Sequence, residues 1–189
     1  MYHVLKRLFD LFFALVFLLL SSPLWMFAAV FIKISSEGPI LFVSQRCGQN
    51  GILFNFLKFR TMNVGAPLLA SHDIDAIQYL TRIGKFLRKT SLDEIPQLWN
   101  VIRGEMSLVG PRPVIPSEVD LVERRKALGV DKILPGITGW AQINGRDHVG
   151  VAEKAQLDCE YMQHQSLWFD FKIILLTIWK VLFARDIKH

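Results

Sequence analysis

The feature that most limits the possible folds is a run of 22 residues without a charged side chain, from Leu11 to Ile32. A helix of about 20 apolar residues crosses the roughly 30 Å of hydrocarbon in a bilayer, so this run could span a membrane. Its centre reads LLLSSPLWMF, however, and Pro23 has no N–H to donate within a helix. The hydroxyls of Ser21 and Ser22 can bond nearby carbonyls. The sequence therefore predicts a hydrophobic helix broken at Ser22 and Pro23.

Three arrangements of this segment remain open. A cleaved signal peptide would use Lys6 and Arg7 as its basic region, but the apolar run resumes after the break as LWMFAAVFI. A kinked span would separate its ends across the bilayer, yet basic residues flank both ends, with Lys33 after the run. A re-entrant helix pair keeps both flanks on one face, with arms of about ten residues that are too short to cross. Re-entry is favoured, with residues 1–36 as the membrane unit.

Composition places the rest of the chain, residues 37–189, in one domain of ordinary size. The whole chain is 51% hydrophobic with a mean hydropathy of +0.30, above the norm for soluble proteins. A net charge of +5 and a pI near 9.4 favour anionic partners. Because the chain ends are hydrophobic, we expect membrane lipids or a phosphorylated substrate and no nucleic acid. Cys47 and Cys159 predict neither a disulfide framework nor a zinc site.

Local patterns predict a hairpin and several helices. Two β-rich runs flank Asn50-Gly51, a dipeptide suited to a tight turn, and predict a hairpin from about Ile40 to Thr61. Charged residues from Glu118 to Leu128 predict an amphipathic helix. The run after Ser166 predicts a Ser-capped helix at a membrane surface, the alternative being a helix buried in the core. The predicted fold class is α+β and mostly helical, with a re-entrant membrane helix, a small hairpin and amphipathic interfacial helices.

The stretch TSLDEIPQLWNVIRGEMSLVGPRP carries the densest chemical signal. Ser91 and Glu94 have the spacing of a capping box, although Pro96 as the first helical residue is an alternative start. Either start places Asp93 and Glu94 at a helix N-terminus. One interpretation is that the two acids complement the helix dipole there and have no other role. The pair is surrounded by basic residues, namely Arg82, Lys85, Arg88, Lys89, Arg103 and Arg112.

A basic setting gives these acids a second interpretation, in which they meet a phosphorylated substrate. Surrounding cations can hold phosphates or keep the carboxylates ionised, and an ionised Asp93 can attack phosphorus. Glu94 can share Mg²⁺ with phosphate oxygens. Arg112 is fixed on a stiff loop between two prolines. The later glycines in PGITGWAQINGRD can let the backbone approach a ligand, or can be turn residues around a buried Trp140.

Three blocks resemble the bacterial sugar transferases, the monotopic phosphoglycosyl transferases. They are KFRTM at residues 58–62, KTSLDEIPQLWNVIRGEMSLVGPRP at 89–113 and PGITGWAQINGR at 135–146. The chain resembles a minimal member of that family, without additional N-terminal membrane helices. The resemblance implies a re-entrant helix broken at a Ser-Pro pair, here Ser22 and Pro23, and an active site on the cytoplasmic face of the bacterial inner membrane.

The resemblance also implies a Mg²⁺-dependent, two-step reaction. Asp93 would attack the β-phosphorus of a UDP-sugar, releasing UMP, and polyprenol (undecaprenyl) phosphate would then take the phosphosugar from Asp93. Glu94 would hold Mg²⁺. The residues implied to contact substrate are Lys58, Arg60, Arg88, Arg112, Gln142, Arg146 and Asp158, of which Asp158 has a structural role as the alternative.

The implied partners are a UDP-sugar, polyprenol phosphate and membrane lipids, with downstream glycosyltransferases in the assembly of exopolysaccharide, lipopolysaccharide or capsule. Residues 63–78 do not align with the family pattern, which leaves the sugar open. One alternative is a non-catalytic membrane adaptor that binds anionic lipids or acidic proteins. Another keeps catalysis but uses a single-step transfer in a ternary complex.

Overall fold

The computed structural model describes residues 2–66, 78–145 and 149–183. The chain is mostly helical with two small sheets, which confirms the predicted α+β class. The helices are α1 (Tyr2–Leu20), α2 (Ser22–Ser35), α3 (Arg82–Lys89), α4 (Gln97–Arg103), α5 (Val119–Ala127), α6 (Trp140–Ile143), α7 (Val151–Gln163) and α8 (Leu167–Leu182). The strands are β1 (Leu41–Cys47), β2 (Leu53–Phe59), β3 (Ser107–Val109) and β4 (Gly136–Thr138).

Helices α1 and α2 meet at a break that bends the pair by 61°. Within the described ranges no single helix is long and apolar enough to cross a membrane, whereas the bent pair meets that test by length and composition. The non-helical residue is Ser21, one position before the predicted Ser22 and Pro23. Pro23 lies in the first turn of α2, where its missing N–H costs no helical hydrogen bond.

Side chains at the break donate to carbonyls of the last turn of α1, of which the Phe17 carbonyl also accepts from Ser21 N at 2.9 Å. The Ser21 hydroxyl donates to the Phe17 carbonyl at 2.6 Å, which confirms the role predicted for that hydroxyl. The indole Nε1 of Trp25 donates to the Leu18 carbonyl at 3.3 Å. The Ser21 hydroxyl and the Trp25 indole are therefore bonded within the segment.

Helices α1 and α8 turn polar residues inward and apolar residues outward. Lys6 Nζ lies 2.8 Å from Asp170 Oδ2 and 3.9 Å from Asp10 Oδ1, so it pairs with both carboxylates. The Tyr161 hydroxyl lies 2.6 Å from Asp170 Oδ1. Large apolar side chains are exposed on the outer faces, including Leu8, Phe12, Leu15, Leu19, Trp168, Leu175 and Trp179. The outer face of α8 is therefore apolar, and its acidic residue Asp170 is buried on the inner face. Such a distribution is typical of helices that face lipid.

The predicted hairpin and the predicted helices at α5 and α8 are confirmed. Strands β1 and β2 pair antiparallel, with Leu41 opposite Phe59, and the turn passes through Asn50 at φ 56°. The Ser166 hydroxyl caps α8 by accepting a hydrogen bond from Phe169 N at 3.2 Å.

A second, parallel sheet was not predicted. Val109 in β3 lies opposite Thr138 in β4. A Cβ on Gly136 or on Gly139 would overlap the backbone of Gly110. These two glycines therefore serve close packing between backbones, in place of the predicted approach to a ligand.

Two hydrophobic clusters join the N-terminal helices to the rest of the chain. One contains Ala14 of α1 with Phe56 of β2 and Ile173 of α8. The other contains Ile32 of α2 with Phe59 of β2. Residues 1–36 and 37–189 thus share both clusters, and the two N-terminal helices pack against the strand β2, which carries Lys58.

Candidate active site

The two acids lie in a single 3-10 turn, Leu92–Glu94, directly before α4. The predicted capping box is wrong, because Ser91 has a left-handed backbone (φ 57°) and makes no capping hydrogen bond. An N-cap residue needs an extended backbone. The alternative helix start at Pro96 is closer to the observed one. Pro96 immediately precedes α4 and has helical angles of φ −59° and ψ −19°.

Asp93 is nearly buried, with 6% of its surface exposed. Its closest charged neighbour is Lys58 of β2, whose Nζ lies 3.7 Å from Asp93 Oδ2. No residue in the described part of the chain donates a hydrogen bond to this carboxylate, although a carboxylate has about four acceptor positions. Asp93 therefore has acceptor positions that an incoming group can use.

Burial raises the pKa of Asp93 above the ordinary value for an aspartate. The positive charge of Lys58 opposes this rise, and the negative charge of Glu94 adds to it. Arg88 and Arg112 oppose it more weakly. The surrounding bases thus favour the ionised form, as predicted, but burial has the larger influence on the pKa of Asp93.

Glu94 connects the two basic residues on either side of the acids. Its Oε1 accepts a hydrogen bond from Lys58 Nζ at 2.8 Å and from Arg112 Nη2 at 3.1 Å. Lys58 belongs to the hairpin, the acids to the 3-10 turn and Arg112 to the loop after β3. The structure thus brings together four predicted site residues from three separate stretches of sequence.

Arg88 lies beside this cluster, whereas its basic neighbours on α3 do not. Its Nε donates to the Thr61 hydroxyl at 3.1 Å, and its charge acts on Asp93. Arg82, Lys85 and Lys89 are exposed. For these three residues the solvated basic face is the better interpretation.

Arg60 is placed away from the acids. Its guanidinium donates to the carbonyl and the hydroxyl of Ser36, each at 2.9 Å, and to the carbonyl of Glu37. These contacts fasten the end of α2 to the hairpin. The structure gives Arg60 this structural role, and its substrate contact stays a prediction.

Three further predicted residues differ in their placement. Asp158 forms a buried ion pair with Arg125 at 2.6 Å, which favours the structural alternative. Burial raises the pKa of Asp158, and the charge of Arg125 opposes the rise. Gln142 Nε2 donates to the Ile137 carbonyl at 3.0 Å. Arg146 lies outside the described residues.

Asn100 is a positioning residue that sequence reasoning missed. Its Nδ2 donates to the Asn55 carbonyl at 2.7 Å, and its Oδ1 accepts from Leu57 N at 3.1 Å. These bonds fix α4, which follows the acids, against β2, which carries Lys58. The available signal was a polar residue on the apolar side of a short helix, between Leu98 and Val101.

The donor set suits Mg²⁺ bound mainly through substrate. Among the described residues, no group of three or more His, Cys, Asp or Glu side chains could hold a metal ion. Mg²⁺ commonly uses one or two carboxylates together with substrate phosphates, and Asp93 and Glu94 supply carboxylates of that kind. The residues present therefore fit this ion.

Comparison with known proteins places the chain in a family. The family model for bacterial sugar transferases matches residues 1–184, and the chain belongs to this family. It is 41% identical to an undecaprenyl-phosphate glucose phosphotransferase of Komagataeibacter xylinus, covering 96% of this chain and 36% of that protein. It is also 41% identical to the UDP-glucose:undecaprenyl-phosphate glucose-1-phosphate transferase of Escherichia coli, covering 94% of this chain and 40% of the relative.

A shorter relative matches over most of its length. The exopolysaccharide production protein ExoY of Rhizobium meliloti is 39% identical over 95% of this chain and 86% of its own. The chain thus spans well under half of the two longer relatives and most of the shorter one.

Proposed function

We propose that this chain transfers a sugar 1-phosphate from a UDP-sugar to polyprenol phosphate, with release of UMP. The observation that carries the proposal is the carboxylate of Asp93, which is nearly buried and receives no hydrogen bond from the described residues. It lies beside Lys58 and next to the Glu94–Arg112 pair. Two relatives named for undecaprenyl phosphate and glucose support this substrate class.

The first step forms a bond between a carboxylate oxygen of Asp93 and the β-phosphorus of the UDP-sugar. The bond from that phosphorus to the bridging oxygen breaks, and UMP leaves with this oxygen. Lys58 offsets negative charge as the substrate phosphate approaches Asp93, and the guanidinium of Arg112 can bind phosphate oxygens in a fixed geometry. Glu94 would hold Mg²⁺, which would supply further charge neutralisation when bound.

The second step returns Asp93 to its starting form. An oxygen of the polyprenol phosphate attacks the phosphorus of the adduct, and the bond from phosphorus to Asp93 breaks. The products are a polyprenol diphosphate sugar and the free carboxylate. Each substrate phosphate meets the same cluster of Lys58, Glu94 and Arg112, so one site serves both steps.

The membrane helices support a location where both substrates can meet. The bend of 61° between α1 and α2 and the apolar outer faces of α1 and α8 favour a pair that enters one leaflet and returns. A polyprenol chain lies in the bilayer and a nucleotide sugar lies in the cytosol. We therefore place the site at the cytoplasmic face of the bacterial inner membrane, at the start of glycan assembly.

Accessibility labelling tests this placement. Cysteines are introduced at His3 and Glu37, which are exposed on either side of the helix pair, in a chain whose Cys47 and Cys159 are replaced by serine. In intact cells and inverted vesicles, a re-entrant pair exposes both labels on the cytoplasmic side. Labels on opposite faces would instead establish the kinked span.

The reaction is tested by supplying the purified protein with a UDP-sugar alone, choosing UDP-glucose first and UDP-galactose second. We expect release of UMP in an amount equal to the enzyme, and a phosphosugar mass on the peptide that contains Asp93. Adding undecaprenyl phosphate should remove that mass and allow turnover, with ping-pong kinetics. A single-step transfer predicts sequential kinetics and no adduct, and a non-catalytic adaptor predicts no UMP with any UDP-sugar.

A further inference from the structure

The loop that carries Arg112 has few backbone groups with which to hold its position. Pro111 and Pro113 flank Arg112 and have no N–H to donate. The Pro111 carbonyl accepts from Gly136 N at 2.9 Å, and the Val114 carbonyl accepts from Cys47 N at 2.9 Å. Pro111, Pro113 and Val114 are buried, and a cavity borders Pro111, Val114 and Arg125. Packing and these hydrogen bonds together hold the loop, while Arg112 between the prolines is only half-buried.

Arg125 of α5 donates a hydrogen bond to the middle of this loop, at the carbonyl between the two prolines. Its Nη1 donates to the carbonyl oxygen of Arg112 itself at 2.8 Å. Its other two donors, Nε and Nη2, lie 2.9 Å and 2.6 Å from Oδ2 of Asp158. Arg125 is 8% exposed and Asp158 is 1% exposed. One buried guanidinium thus links α7, through Asp158, to the residue that contacts Glu94.

This geometry needs an arginine. A guanidinium presents donors in a fixed plane, so a single orientation serves both Asp158 and the Arg112 carbonyl. A lysine at the same position can keep the charge opposite Asp158 but has one nitrogen with which to satisfy both acceptors. A buried ion pair is by itself weak evidence for a contribution to stability. The contact of Arg125 with the Arg112 carbonyl indicates a different role for the pair, which is to hold the loop.

We propose that Arg125 is a positioning residue, held by Asp158, that fixes the backbone of Arg112 and so aims the Arg112 guanidinium at Glu94 and at substrate phosphate. This inference rests on the proposed function for its effect on turnover, but its effect on the loop is independent of any activity. Asp158, predicted to contact substrate, then acts through Arg125 and Arg112.

The test compares Arg125→Lys, Arg112→Ala and the double variant by the rate of UMP release. We expect Arg125→Lys alone to lower kcat/KM by roughly ten- to a hundredfold, as for a catalytic group displaced by about 1 Å. In the Arg112→Ala background the same change should alter kcat/KM by less than about twofold, because Arg125 acts through Arg112. Hydrogen exchange in the peptide covering residues 107–118 should rise in Arg125→Lys.

The matched control is Arg124→Gln, on the same helix. Arg124 also pairs with an aspartate, Asp120 at 2.7 Å, but both side chains are largely exposed. Loop exchange and UMP release should stay at wild-type levels in this variant. If Arg125→Lys does not fold, the pair Arg125→Met with Asp158→Leu removes both buried charges and the loop contact together, and the same two measurements apply.

Two results would overturn the inference. One is unchanged exchange in the loop when Arg125 is altered, whatever the activity. The other is an undiminished effect of Arg125→Lys in the Arg112→Ala background. A wild-type protein that releases no UMP contradicts the proposed function instead, and the exchange measurement then decides the role of Arg125 alone.

Discussion

Asp170 and Asp93 are both nearly buried aspartates, but their surroundings differ. Asp170 accepts hydrogen bonds from Lys6 at 2.8 Å and from Tyr2 at 3.2 Å, and its second oxygen lies 2.6 Å from the Tyr161 hydroxyl. Asp93 has an ion contact with Lys58 at 3.7 Å and no hydrogen bond from the residues that the structure describes. Burial is common to both, so it is the presence of donors that separates a carboxylate of the scaffold from one available for reaction.

The largest expected effect is that of Asp93→Asn on turnover. We expect UMP release to fall by about 10⁴-fold or more, because the attacking oxygen is lost. No phosphosugar mass should then appear on the protein. Retention of turnover within tenfold of wild type would contradict both the covalent mechanism and the contrast drawn between the two aspartates.

The same variant should be at least as stable as wild type. Burial raises the pKa of Asp93 in the folded protein above its unfolded value. The folded state therefore binds more protons between those two pKa values, and stability falls as pH rises through that window. The neutral asparagine removes this cost, so its melting temperature in detergent at pH 7 should equal or exceed that of wild type. A large decrease would show that Asp93 is part of the scaffold.

Asp170→Asn should show the opposite behaviour. Removing one partner of a buried ion pair costs about 3–5 kcal/mol of unfolding free energy, and it leaves Lys6 with only its longer contact of 3.9 Å to Asp10 among the described residues. The fraction that still folds should keep its UMP release within a few fold of wild type. The double variant Lys6→Met with Asp170→Leu should recover much of the lost stability, and Asp120→Asn, at an exposed pair, should cost about 0–1 kcal/mol.

The pH dependence of turnover sharpens the description of Asp93. Attack requires the ionised carboxylate, so kcat/KM should fall as pH falls through the raised pKa of Asp93. Lys58→Met removes the main opposing charge, so the pKa should rise further and the acidic limb should move to higher pH. The pH profile of kcat/KM for the UDP-sugar measures this. A limb that stays in place or moves to lower pH would show that Lys58 does not act on Asp93.

Features that depend on residues close together in the sequence could be predicted. The hairpin followed from two β-rich runs around Asn50-Gly51, and Lys58, Glu94 and Arg112 stand in local motifs that the fold brings together. The direction of the pKa shift of Asp93 could not be predicted from neighbouring charges, because burial is the larger influence on its pKa. The spacing of Ser91 to Glu94 fitted a capping box, but the left-handed backbone of Ser91 prevents it.

Long-range pairs lay beyond sequence reasoning. Lys6 and Asp170 are separated by 164 positions, and their contact depends on how α1 and α8 pack. Along the chain the nearer acid is Asp10, four residues from Lys6, which lies at the longer distance of 3.9 Å. In the same way nothing local indicated that Arg60 would bind the end of α2 or that Asp158 would meet Arg125. Motif membership identified these residues as important but could not separate a substrate contact from a structural one.

The smallest expected effect concerns the break between α1 and α2. Unlike Asp93 and Asp170, the Ser21 hydroxyl at this break bonds a carbonyl only four residues away. Ser21→Ala removes the donor to the Phe17 carbonyl and should cost about 0.5–1.5 kcal/mol, with UMP release unchanged. Ser22→Ala is the matched control, since the structure describes no side-chain hydrogen bond for Ser22, which already lies within α2. Thermal unfolding in lipid nanodiscs should separate the two variants. Equal losses would instead show that the Ser21 hydrogen bond contributes no more to stability than the Ser22 hydroxyl does.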